Sequence, residues 1–168
     1  MQALELLLDR ATDEAVRRDW ESLRRAGLPS QANHQGETNA PHITLLATAL
    51  LPAADDELRS ALSVLLPLHL TLGPVVTFPG RRLVLARLVV LDDALLDLHA
   101  AAVTASEAVP SPLTEPGRWV PHVTLARGLR PEDVGTALSL LGQGATDGTA
   151  VTLRRWDSDA RQVHHLVG

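Results

Sequence analysis

The sequence contains no cysteine, no lysine and no tyrosine, and only one phenylalanine and three tryptophans. Each absence closes off a chemistry. Without cysteine there is no disulfide framework, no thiolate nucleophile and no thiolate-held metal. Without lysine there is no covalent lysine mechanism, and all 15 basic residues are arginines, whose planar forks match phosphate oxygens. Aromatics at 2% leave no stacking platform for a run of bases, and a net charge of −5 leaves no broad basic footprint for long nucleic acid. Long hydrophobic runs are missing too. The most apolar stretch, Leu62 to Phe78, is interrupted by Pro67, His69, Gly73 and Pro74, so no membrane span is expected. The first residues, Met1-Gln2-Ala3-Leu4-Glu5, lack a basic leader, so no signal peptide is expected and the expected location is cytoplasmic.

What the chain has instead is a repeated pentapeptide. Pro41-His42-Ile43-Thr44-Leu45 returns as Pro121-His122-Val123-Thr124-Leu125. With these residue frequencies a chance second copy has odds on the order of one in a thousand. A period of two reads as a strand, which puts His42 and Thr44 on one face and Ile43 and Leu45 on the other. His122 and Thr124 repeat the pattern. Two such faces brought together line a cleft with two imidazoles and two hydroxyls. One neutral imidazole takes a proton from an attacking hydroxyl or water, and a charged one gives a proton to the departing alkoxide. Threonine hydroxyls donate to phosphoryl oxygens, where charge accumulates. Neither motif has the spacing of a helical zinc site, and threonine rather than a carboxylate accompanies each histidine, so no metal and no other cofactor is expected.

Patterning gives the order of elements. Strands are expected at Leu4–Leu8, from His42 to Leu50, at Leu68–Leu72, at Val75–Phe78, at Leu83–Leu91, from Thr149 to Trp156 and at Val163–Val167. Helices are expected from Thr12 to Ala26, from Asp55 towards Leu66, from Asp92 to about Ala108 and from Pro131 towards Gly142. The Pro-rich stretch from Val109 to Gly117 and the polar stretch from Ser30 to Ala40 read as loops that deliver the chain to the two motifs. Each half runs loop, motif strand, Pro-started acidic helix, strands. The expected architecture is therefore α+β, mainly antiparallel: one domain, residues 1–168, of two pseudo-symmetric lobes with helices outside and a cleft between.

Other polar residues read as ordinary structure. His34 sits in a loop, His69 on a strand face and His99 on a helix face, and His164 and His165 point to opposite faces of a terminal strand, so that only one of them is within reach of the cleft at all. Trp20 and Trp119 read as core. Trp156 is a candidate for stacking on a base. Arg81, Arg82, Arg154, Arg155 and Arg161 read as surface. Arg118 shares the parity of His122, whereas Arg127 has the opposite parity and needs a bulge after Leu125 to turn inward.

The two H-x-T motifs, the second within Trp119-Val120-Pro121-His122-Val123-Thr124-Leu125-Ala126-Arg127, resemble those of the 2H phosphoesterase superfamily. More narrowly, they resemble those of the bacterial 2′-5′ RNA ligase, or RNA 2′,3′-cyclic phosphodiesterase, branch. The resemblance implies His42 and His122 as catalytic residues, with Thr44 and Thr124 on the substrate and Arg127 as a further contact; Arg118 joins them as a candidate contact by its strand parity with His122. It implies hydrolysis of a 2′,3′-cyclic phosphate on a small nucleotide or RNA end, or the reaction run backward as a 2′-5′ ligase; a monomer is the expected state. A non-catalytic module that binds the same ligands in the same cleft is the alternative.

Overall fold

The computed structural model describes residues 1–36 and 38–168. Seven strands and four α-helices follow one another along it: β1 (Gln2–Leu8), α1 (Arg10–Arg25), β2 (His42–Thr48), α2 (Asp55–Leu62), β3 (Leu68–Phe78), β4 (Leu83–Val89), α3 (Asp93–Ser106), β5 (His122–Leu129), α4 (Val134–Leu140), β6 (Thr146–Asp157) and β7 (Gln162–Val167). The two longest helices start at side-chain caps. Asp9 accepts from Thr12 N at 3.0 Å at the head of α1, and Asp92 accepts from Leu95 N at 2.8 Å at the head of α3.

All strand pairs are antiparallel, in the order β1-β2-β5-β4-β3-β6-β7, and β1 also pairs with β6. The order therefore closes into a six-stranded ring with β7 outside. β6 is the long strand that makes this possible. Its residues 146–150 pair with β3, and residues 150–157 run along β1. Across the ring, β2 and β5 meet through one registered pair, Ile43 with Val123. Two half-sheets result, β2-β1-β6-β7 and β5-β4-β3-β6, with the motif strands side by side where they join.

Each half-sheet buries its apolar face under helices. α1 packs on β5 and β6 and against α4, while α2 and α3 pack on each other, on β7 and on β2. The core they enclose includes Leu4, Leu6, Leu23, Ile43, Leu45, Leu58, Leu95, Leu98, Val123 and Leu125, all without solvent exposure. One strand differs from the sequence expectation. Leu68–Leu72 and Val75–Phe78 form a single β3, whose register with β4 breaks between Leu72 and Val75. Pro74 has no N–H to give the ladder, so the strand bulges at Gly73-Pro74 instead of ending.

Among the described residues no helix is long and apolar enough to cross a membrane.

Candidate active site

Ile43 and Val123 face each other across β2 and β5, both fully buried. Their neighbours along each strand must point the other way. Antiparallel pairing about this point brings His42 and Thr44 of β2 and His122 and Thr124 of β5 onto one shared face, His42 across from Thr124 and Thr44 across from His122. The four side chains named by the repeat thus share one face of the joined strands.

The two histidines are held alike. His42 Nδ1 donates to the Ala40 carbonyl at 2.8 Å, and His122 Nδ1 donates to the Val120 carbonyl at 2.8 Å. A carbonyl can only accept, so in the neutral ring the proton sits on Nδ1 and Nε2 carries a free lone pair. Both imidazoles present Nε2 for chemistry. Both remain partly exposed, so the face they share is open to solvent. Neither threonine hydroxyl is bonded to another group among the described residues.

Two tryptophans hold the strands from behind. Trp20 Nε1 donates to the Thr124 carbonyl at 3.0 Å, and Trp119 Nε1 donates to the Thr44 carbonyl at 2.9 Å. Each motif threonine thus has its backbone fixed by a buried indole, 3% and 7% exposed respectively. Trp119 stacks on His99, ring centroids 4.2 Å apart and 5° from parallel, and His99 Nε2 donates to the Thr114 carbonyl at 3.0 Å. His99 is a buried support of the loop before β5.

Both motif strands bulge directly after the threonine. On β1, Leu4 pairs with Leu46 and Glu5 with Thr44, skipping Leu45. On β4, Leu85 pairs with Ala126 and Ala86 with Thr124, skipping Leu125. One extra residue reverses parity, so Arg127 lies on the face of His122. Arg127 and His122 line a cavity of about 380 Å³ together with Phe78, Val84, Leu113 and Arg118. The Phe78 ring lies 4.6 Å from the His122 ring, tilted by 47°. Arg118 reaches the cavity from the loop before β5 rather than from a strand, and its Nη1 lies 3.7 Å from Glu115 Oε2.

Other expectations resolve differently. His164 Nδ1 lies 3.0 Å from Asp55 Oδ2 and is engaged there. Arg154, expected at the surface, is buried at 6% exposure. Its Nε donates to Glu5 Oε2 at 2.8 Å and its Nη1 to the Thr38 carbonyl at 3.0 Å. Glu5 is itself 6% exposed, and its other oxygen, Oε1, lies 3.5 Å from His42 Nε2. The sequence carried a signal for this pair: a lone carboxylate inside Ala-Leu-Glu-Leu-Leu-Leu needs a buried partner.

Burial pushes His122 below the ordinary imidazole value, the charges of Arg127 and His42 push it further, and the Val120 carbonyl works the other way. Burial likewise lowers His99, opposed by the Thr114 carbonyl. Both rings are therefore harder to protonate folded than unfolded, so the unfolded chain binds more protons and stability rises with pH. Their contribution is complete above the unfolded value of about 6.5 and is lost as pH falls through the lowered folded values. The urea midpoint is expected to drop between about pH 7.5 and pH 5.5, and to drop less in His99→Gln.

The sequence model of the 2′-5′ RNA ligase superfamily matches residues 12–160. No curated protein matches the chain. Solved structures share its fold at low identity. Usb1 from Kluyveromyces marxianus superposes with a TM-score of 0.53 at 11% identity, covering 99% of this chain and 97% of that one. LigT from E. coli gives 0.52 at 17% identity, covering 99% and 93%. The same Usb1 with uridine monophosphate gives 0.51 at 12% identity, covering 99% and 97%.

Proposed function

Because the chain belongs to the 2′-5′ RNA ligase superfamily and has the fold of the 2H phosphoesterases, we propose that it breaks a phosphodiester by proton transfer through His42 and His122. The substrate in this reading is a 2′,3′-cyclic phosphate on a nucleotide or RNA end. The observation that carries it is the matched pair of imidazoles, each fixed through Nδ1, with Nε2 on the face that also carries two uncommitted hydroxyls. Phosphoryl transfer asks for little more than positioning and charge stabilisation.

In hydrolysis, a bond forms between water oxygen and phosphorus as the bond to one ribose oxygen breaks. His122, kept neutral near neutral pH by burial, takes the water proton at Nε2. His42 gives its Nε2 proton to the departing ribose oxygen. Thr44 and Thr124 donate to the non-bridging oxygens, and Arg127 balances charge on the His122 side. Exchange with solvent then resets both rings. Ligation uses the same pair of transfers with an RNA hydroxyl in place of water: its oxygen bonds to phosphorus as the same ribose oxygen leaves, His122 taking the hydroxyl proton and His42 protonating the departing oxygen.

The cavity beside His122 supports a nucleoside on the phosphate. Its walls are apolar at Phe78, Val84 and Leu113, with the arginines at hand for a phosphate, and its volume suits a single nucleoside. Uridine monophosphate in the Usb1 structure agrees with this class of ligand. The net charge of −5 and the scarcity of aromatics favour a short ligand over an extended strand. The test is a panel of 2′,3′-cyclic nucleotides and cyclic-ended RNA, with chelator present and products separated by chromatography. Conversion to a 2′- or 3′-monophosphate is expected, and saturable binding without turnover contradicts the reading. Phe78→Ala is expected to raise KM for cyclic nucleotides by about 5- to 30-fold, the worth of one base contact, with kcat nearly unchanged. Steady-state kinetics on the same panel checks this.

A further inference from the structure

We propose that Glu5 is the residue that makes His42, rather than His122, the proton donor; the assignment of a reaction step rests on the phosphoesterase reading above. The two halves of the site match group for group. Each has a Pro-His-x-Thr-Leu strand, an Nδ1 bond to the carbonyl two residues back, an indole on the threonine carbonyl and a bulge at the following leucine. Leu7 stands opposite His42 and Leu88 opposite His122. The match fails opposite the threonines. There Glu5 faces Thr44, whereas Ala86 faces Thr124.

Directly opposed residues in a sheet share a face, so register alone puts Glu5 in the cleft. Its Oε1 lies 3.5 Å from His42 Nε2, the nitrogen that meets substrate, while Oε2 accepts from Arg154 Nε at 2.8 Å. Among the described residues, the charged and titratable groups around His42 are thus Glu5 on β1, Arg154 on β6 and His122 on β5, with Arg127 beyond His122. A bare carboxylate here would repel a phosphate. Arg154 on its far oxygen cancels that repulsion at a distance and leaves the near oxygen facing the imidazole. An imidazolium at His42 gains a carboxylate 3.5 Å away, whereas one at His122 gains none and meets Arg127 instead. A buried ion pair with no other task contributes little over apolar packing, which points to a task beyond stability. Glu5 acts as a positioning residue: it touches His42, and the proton still leaves from His42 Nε2.

The test uses Glu5→Gln, which keeps the size, and Glu5→Leu/Arg154→Leu, which strands no buried charge if the first variant folds poorly. In either, kcat on a 2′,3′-cyclic nucleotide is expected to fall about tenfold with KM within about twofold. The high-pH limb of the rate profile is expected to move to lower pH. A parallel readout needs no substrate: the NMR titration midpoint of the His42 ring is expected to move to lower pH while that of His34 stays. A His42 midpoint unmoved in a folded variant overturns the proposal, as does a tenfold loss of kcat with both limbs in place, which marks a merely structural pair. A moved midpoint in a protein that turns over no cyclic phosphate upholds the Glu5–His42 coupling and overturns the phosphoesterase reading instead.

Discussion

His122→Ala and His42→Ala are each expected to lower kcat on a 2′,3′-cyclic nucleotide by about 10²–10⁴, with the proteins still folded. The loss is large because each ring does something water at neutral pH does poorly. Water is a weak base toward a second water, and an alkoxide is a poor leaving group until a proton reaches it. The folded state should survive because both rings are partly exposed and each gives up only one hydrogen bond, to Ala40 or Val120. For His122 the change also removes a ring that resists protonation, so this variant should lose less stability than the native protein when acidified. The double variant should be little worse than either single one, since the two transfers belong to one step and their effects do not add. Single-turnover rates, with circular dichroism as a check on folding, measure all of this. A loss under tenfold in either variant speaks against a shared proton-transfer step.

The second large effect lies behind the site. Trp119→Ala is expected to destabilise the protein by about 3–5 kcal/mol, the usual cost of emptying a large buried aromatic site. Here the ring also carries the stack on His99 and the hydrogen bond to the Thr44 carbonyl. Trp119→Phe separates the contributions. It keeps much of the packing but removes the indole N–H, leaving the Thr44 carbonyl short of a partner at a cost of about 1–3 kcal/mol. Because that carbonyl belongs to a motif residue, the phenylalanine variant should also lose rate beyond what its stability predicts. Trp20→Phe should act likewise through Thr124, the loss falling on the other motif strand. Urea unfolding and steady-state kinetics on the same preparations test both points. A phenylalanine variant with native kcat would show that the indole bonds serve stability alone.

The repeat at His42 and His122 is a local signal, and it located the two strands and their cleft face because strand parity depends only on neighbouring residues. Capping at Asp92 and the proline-rich loop before the second motif are local in the same way. What the sequence leaves dark comes from pairing between distant strands. The bulges at Leu45 and Leu125 exist only in register with β1 and β4, and the second brings Arg127 to the face that simple alternation denies it. Arg154 looks like any surface arginine until β6 is laid beside β1 and Glu5 lies across from it. Glu5 was legible as an anomaly, a charge in an apolar strand, but its address beside His42 was not. Trp20 and Trp119 read as core, and their indole bonds to the motif threonines required the tertiary fold.

Central to the account is a division of labour between two imidazoles on one face, and the pH dependence of kcat/KM for a 2′,3′-cyclic nucleotide, taken with chelator present, tests it most directly. The account predicts a bell, with a low-pH limb that disappears in His122→Ala and a high-pH limb that disappears in His42→Ala. A rate that needs added divalent metal, or a profile whose two limbs survive both substitutions, would contradict it.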